Sequence, residues 1–388
     1  MSLRGAKRAQ IPRFARDRLR NPVDAAVSRD RHAPAGLATT EVVKKYLPIT
    51  LLIILLGLAG YIVGQKNGGT INISGGQGDG KNNDTASNNE PKLPRSPISG
   101  LACANAERRP MAVILAADAV TRPLSGISEA DLVFNMPVIT DSMTRLMAVY
   151  VCGFPKEIGS VRSSRHDFIP LARGLDAIFV HWGGSHFALD ELAKDAADNI
   201  DALKNPYNAF FRKSGIASPH NGFTSGTRLF EAAQKMGYRL AGNFGGYPHL
   251  AEGATSSATT TKTLNIAFPG SFAIKYVYDP EDNSYWRWRG GSKEIDKNTG
   301  QQVEAKNVAI MIAASRQIEG QYNDVDVEGS GQARIYRNGE EILGTWKKDA
   351  AKQTSKLFFY DRASKEIKFI AGQIWVEVVQ PNQAVSWK

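Results

Sequence analysis

The sequence predicts an α/β fold with a mainly antiparallel second half, joined to one N-terminal transmembrane helix. Three observations carry this expectation. Apolar, β-rich runs alternate with helical patterns between Arg109 and Leu240. Beyond Leu240 nearly every run has strand character. A stretch of nineteen residues, Tyr46 to Gly64, contains no charge.

Taken in order, residues 1–45 read as a basic, disordered cytoplasmic tail. They hold eleven Lys and Arg against four Asp and Glu, a net +7 of the chain's +10, so the other 343 residues carry only +3. A near-neutral remainder argues against a nucleic-acid-binding domain, and the tail fits anionic inner-leaflet lipid instead. The run YLPITLLIILLGLAGYIVG at 46–64 is long enough, at about 1.5 Å per residue, to cross roughly 30 Å of hydrocarbon. With Lys44 and Lys45 before it, the run is expected to pass once through the bilayer, N-terminus cytoplasmic and the bulk of the chain outside. A cleaved signal peptide is the competing reading, but no A-x-A pattern follows. Residues 65–98 contain six Gly, six Asn and three Pro and read as a flexible linker. Its root-mean-square span is roughly 30 Å.

Residues 99–250 form the expected α/β region, with strands at 111–116, 132–134, 146–151 and 177–181 and helices at 167–173, 186–196 and 227–236. Residues 264–382 form the β-rich region. Ser271–Tyr278 and Tyr285–Arg289 flank a DPEDN turn, and Ala333–Arg337 and Glu341–Trp346 flank Asn338-Gly339, a strong hairpin signal. Leu357–Tyr360, Glu366–Ile370 and Gln373–Val379 continue the meander.

The runs RPMAVILAAD, RPLSGISEADLVFNMPV, TRLMAVY, IGSVRSSRHDFIPLARGLDAIFVHWGGS, SPHNGFTS, DKNTGQQVEAKNVAIM and IWVEVV follow one another in this order. Together they resemble the YerB-like lipoprotein family, over about residues 95–382. The resemblance implies a three-layer β/β/α fold, an envelope location, and N- and C-terminal regions of unknown function; it supplies no reaction. Against the family pattern, Asn135 stands where a glutamate is common and Ile139-Thr140-Asp141 where glycines are. Ser292-Lys293-Glu294 stands where a histidine precedes the D-x-x-T-G run, and the expected spanning helix replaces a lipidated cysteine.

Candidate ligand-binding residues are Arg145, Arg162, Arg165, His181, Ser185, His220 and Asn221. Three guanidiniums near element ends match carboxylate or phosphate bidentately; the alternative is internal pairing with Asp131, Asp167 or Asp176. His181 closes a strand before Gly183-Gly184-Ser185, a turn into a helix, or else is a satisfied packing residue. His186 five residues on does not complete a metal-binding face, and no metal or cofactor is expected. Glu129, Asp131, Asp141 and Asp176 are available as a general acid without an assignable partner. Tyr276, Tyr278, Tyr285, Trp286 and Trp288, interleaved with Arg287 and Arg289, either stack on sugars or form a buried strand face. Cys103 and Cys152 stand either free or bonded to each other. The expected function is a membrane-anchored binding or scaffold module for cell-wall glycan or peptide, or for an envelope protein. The alternative is a wall-modifying glycan hydrolase or lytic transglycosylase.

Overall fold

The computed structural model describes residues 92–251, 253 and 258–388. The first half contributes strands Met111–Ala116 (β1), Leu132–Pro137 (β2), Thr144–Tyr150 (β3), Ile158–Gly159 (β4), Ile178–His181 (β5), Asn199–Asp201 (β6), Phe211–Arg212 (β7) and Gly222–Thr224 (β8). Its helices are Phe168–Gly174 (α1), His186–Leu192 (α2) and Gly226–Lys235 (α3). The second half adds Lys262–Ile266 (β9), Ile274–Asp279 (β10), Ser284–Arg289 (β11), Ser292–Lys293 (β12), Glu304–Ala305 (β13), Asn307–Ile312 (β14), Ser315–Glu319 (β15) and Tyr322–Val325 (β16). Gly329–Arg337 (β17), Glu340–Lys348 (β18), Phe358–Asp361 (β19), Ile374–Val379 (β20) and Val385–Trp387 (β21) complete it.

The expected α/β class with a transmembrane helix is corrected here. Among the described residues the fold is mostly β-sheet, 39% strand and 12% helix. Among the described residues no helix is long and apolar enough to cross a membrane, and the run at 46–64 lies outside them. The alternation seen in the first half is present, but its helices are short, closed by a tertiary contact and by left-handed turns. Gly174 ends α1 against the Ser355 carbonyl, which a Cβ would meet at 2.4 Å. Asp195, with φ 56°, turns the chain just beyond α2, and Gly237, with φ 75°, does so after α3. The stretch 366–370, read as a strand, makes only isolated bridges.

Ten strands form one mixed sheet in the order β19-β18-β17-β14-β20-β2-β3-β1-β5-β6. The two halves of the chain meet within it: β20 lies between β14 and β2 and runs parallel to both. Neither half has a sheet of this size alone. β17 and β18 are joined at Asn338-Gly339, both with positive φ (53° and 67°), the geometry of a two-residue type I′ turn. A second sheet has the order β12-β11-β10-β9-β21, with β13 beside β11.

Both faces of β1 are buried, which explains its unbroken apolar run. Val113 and Leu115 pack in one core with Tyr276, Tyr278 and Tyr285 of the second sheet. Ala112 and Ile114 belong to the opposite core with Phe168 and Leu171 of α1 and Ala188 of α2. Of the segment read as a linker, the residues within the described range dock on this body: Ile98 is buried and Tyr247 N donates to Pro97 O at 2.8 Å.

A sealed charge cluster includes residues of both sheets. Arg287 donates to Tyr276 Oη at 2.8 Å, to Glu377 Oε1 at 3.0 Å and to Glu294, while Arg289 pairs with Glu294 at 2.6 Å. Asn135 Nδ2 donates to Glu377 Oε2 at 2.7 Å. Asn135 and Glu377 are wholly buried, so the departure from the family pattern at position 135 lies in the interior, where an amide matches the partner carboxylate without adding charge.

Candidate functional site: an arginine cluster without carboxylate partners

The segment VRSSR threads between the end of β1 and the turn that follows β5. Arg162 N donates to Ile114 O at 2.9 Å, Trp182 N to Arg162 O at 2.9 Å and Ser164 N to Gly183 O at 2.9 Å. Glycine is required at the second position of that turn: a Cβ on Gly184 would lie 2.2 Å from Ser164 Oγ. The turn is braced from below. Asp201 Oδ1 accepts from Gly183 N and Leu203 N, both at 2.9 Å. His181 is held between Gly183 O at 2.9 Å and Asn199 Oδ1 at 3.2 Å.

This threading brings Arg145, Arg162 and Arg165 together. Arg145, buried at the start of β3, donates to Ser163 O at 2.8 Å. Arg162 Nη1 donates to His220 Nδ1 at 2.9 Å. Arg165 donates to Ser164 O at 2.9 Å, leaves Nε without a partner and lies 5.2 Å over the Tyr322 ring. None of the three forms an ion pair among the described residues.

The carboxylates that might have neutralised them are committed elsewhere. Asp131 accepts from Ser96, Ser99, Val151 N and Cys152 N. Asp176 pairs with Arg239 at 2.5 Å, and Asp167 accepts from Val325 N at 2.9 Å with His166 at 3.3 Å. Burial, reinforced by the Arg165 and Arg162 charges, pushes Arg145 down to about 9. Arg165 is lowered too, first by burial; of its neighbours Arg162 lowers it further, while Tyr322 and Asp167 oppose the shift. The carboxylates that oppose these shifts, Asp118 at Arg145 and Asp167 at Arg165, form no ion pair with them among the described residues, and Arg162 and His220 are the partly exposed members of the cluster.

The other expected site residues have structural positions. His181 is sealed, and burial lowers its pKa so that the neutral ring is favoured. Ser185 is buried and caps α2, accepting from Ala188 N at 3.2 Å. Asn221 accepts from Arg212 at 2.7 Å beside His220. His181, His186 and His220 do not converge, since His186 pairs with Glu319 at 3.2 Å. His166, Asp167 and Asp324 do gather their ligand atoms within 4.8 Å. His166 Nε2 lies 3.3 Å from Asp167 and 3.4 Å from Asp324, and Arg316 pairs with Asp324.

Comparison with known proteins adds the family. Models described as "Protein of unknown function (DUF3048)" match in an N-terminal domain at 98–239 and a C-terminal domain at 264–376. The chain belongs to the YerB-like family. It is 29% identical over 299 residues to "Putative lipoprotein YerB" of Bacillus subtilis (strain 168), covering 75% of this chain and 88% of the relative. The crystal structure of YerB from Bacillus subtilis is similar at a TM-score of 0.68 and 28% identity, covering 75% of this chain and 99% of the other.

In this YerB-like protein Cys103 and Cys152 are bonded to each other, with Cα atoms 5.7 Å apart, so neither is left to carry a lipid. Two features of the YerB-like site escaped the sequence reading. The hairpin β15–β16 brings Tyr322 over Arg165, a contact across more than 150 residues that no local pattern announces. Arg287 and Arg289 point inward and Trp286 and Trp288 outward, the reverse of what hydrophobicity suggests. The period-two phase set by Tyr285 was the available signal.

Proposed function

We propose that this YerB-like protein is an extracytoplasmic binding module of the cell envelope that grips a carboxylate or phosphate of a wall polymer through Arg162, Arg165 and His220, with Arg145 beneath them supplying further charge. The observation that carries this reading is the cluster of three arginines that form no ion pair among the described residues. The Cys103–Cys152 bond fits an oxidising compartment, and a relative named as a lipoprotein fits the membrane surface.

The test is co-sedimentation of the full chain, in detergent, with wall sacculi that retain or lack their phosphate-bearing polymer. Binding to both kinds points to peptide carboxylates; binding only to the former points to phosphate. Arg162→Ala and Arg165→Ala should each weaken retention about tenfold or more, and added salt should weaken it as well, while the variants melt cooperatively. Undiminished retention in both variants would overturn the reading. Soluble muropeptides accumulating over time would do the same, in favour of a wall-modifying enzyme.

A further inference from the structure

A cavity of about 790 Å³ lies away from the arginine cluster and within the size range of small-molecule sites, about 300–1,000 Å³. The D-x-x-T-G run builds one wall. Asp296 accepts from Gly126 N at 3.2 Å, from Ser128 N at 2.7 Å and from Asn298 N at 2.6 Å, which pins that run of the second half to the first. Thr299 and Gln301 are thereby presented at the cavity, both exposed. Strand register builds the other wall. Trp286 stands directly opposite Glu304 across the β11–β13 pair, so both occupy the outer face while Tyr285 and Arg287 fill the inner one.

The polar groups divide into fixed and uncommitted. Gln302 donates to Arg287 O at 2.9 Å, and Gln373 is held by Ile127 O, Ala130 O and Trp375. The side chains of Glu304 and Gln301 have no hydrogen bond among the described residues, and the half-exposed Trp286 indole has no aromatic or cationic neighbour over it there. Glu129 is half-buried at the cavity, and burial raises its carboxyl above the usual range. Glu129, Asp131, Asp282 and Glu304 outnumber Lys306, so the lining disfavours the anionic ligand proposed for the arginine cluster.

We infer that this groove binds an uncharged oligosaccharide, one ring stacked on Trp286 and its hydroxyls bonded by Glu304, Gln301 and Glu129. A flat indole offers its face to the C–H side of a sugar ring, and carboxylates and amides match hydroxyls that both donate and accept. A simple apolar ligand would leave those polar groups unmatched.

The experiment is titration of the full chain, in a detergent without a sugar headgroup, with chitotetraose and with maltotetraose, followed by tryptophan fluorescence and calorimetry. Saturable binding of at least one is expected, weakened about tenfold by Trp286→Ala and several-fold by Gln301→Ala. The Arg162→Ala protein should bind the saccharide as the parent does, which separates this site from the anion site. Absence of saturable binding to both would overturn the inference, as would full binding by Gln301→Ala and a folded Trp286→Ala. Should Trp286→Ala not melt cooperatively, the exposed Gln301→Ala and Glu304→Gln decide alone: unchanged binding by both refutes it, and weakened binding by either supports it.

Discussion

Replacing Arg145 with methionine should stabilise the protein while weakening its hold on anions. A buried arginine with an acidic partner behaves in the opposite way, because its loss strands a charge. Arg145 forms no ion pair among the described residues and faces two further guanidiniums, with only the Asp118 carboxylate opposing the shift. The fall from 12.5 to about 9 corresponds to roughly 5 kcal/mol against the charged form, at about 1.4 kcal/mol per pH unit. Methionine fills much of the same volume, removes that cost and gives up one charge-assisted hydrogen bond to Ser163 O, worth about 1.5–3 kcal/mol. The balance favours Arg145→Met by about 2 kcal/mol. For a folded unit of roughly 300 residues, with an unfolding entropy of about 2.1 cal/mol/K per residue, that is a rise in Tm of about 3 °C. Scanning calorimetry in low-salt buffer without phosphate measures it, and sacculus co-sedimentation measures the loss of binding. A fall of several degrees would mean that Arg145 is matched in a way the geometry does not contain, and the anion-site reasoning would fail with it.

Arg287→Met is the control of opposite sign: with Glu377 and Glu294 left in a sealed layer, the loss should be about 3–5 kcal/mol by denaturant titration, and a loss below about 1 kcal/mol would show that the cluster does not hold the sheets together. Replacing Cys103 and Cys152 together with serine opens a loop with a sequence separation of 49, for which chain entropy gives a cost of about 4 kcal/mol. Reductant should reproduce that cost in the parent and change nothing in the double variant; a parent Tm indifferent to reductant would refute the bond. His181 is held neutral by burial, with its pKa below the usual value, whereas the unfolded chain takes up a proton near pH 6.5. Its contribution is therefore present above that pH and lost as the pH falls, so the stability of His181→Gln should decline less steeply below about pH 6.5 than the parent's. Parallel curves would assign the acid sensitivity elsewhere.

The four strands read in the first half, β1, β2, β3 and β5, were legible because each is buried on both faces, so MAVILA and AIFVH could hardly be surface helices, whereas the two- and three-residue strands β4, β6, β7 and β8 were too short to carry a pattern. The Asn338-Gly339 hairpin was legible for a local reason, two consecutive residues that tolerate positive φ. Fold class was misread because helical spacing says that a helix forms, not how soon it stops. The residues that end α1 and α2 act through tertiary contact at Gly174 and a left-handed turn at Asp195. The joining of the halves was equally hidden. β20 pairs with β2 across more than 200 residues, and an apolar run such as IWVEVV carries no mark of which neighbour it will take.

Site residues divide along the same line. That Arg145, Arg162 and Arg165 belong together was suggested by their place near element ends; that no acid meets them depends on where Asp131, Asp167 and Asp176 fold, which spacing cannot report. The same logic separates the cluster from the buried pair at Arg287 and Arg289. In sequence both are arginines among apolar and polar neighbours, yet one group is matched carboxylate for guanidinium and the other is not. Matched charge fixes a packing arrangement, whereas unmatched charge costs stability unless an outside group completes it. On the proposed function, an anionic ligand would offset the cost that the arginine cluster imposes on the folded state in isolation. The acidic groove around Trp286 is the complementary case, where hydroxyls rather than charge would complete the uncommitted groups. Taken together, the two proposals would suit one chain to a polymer that alternates neutral rings with acidic substituents, the composition of a glycan with peptide or phosphate branches.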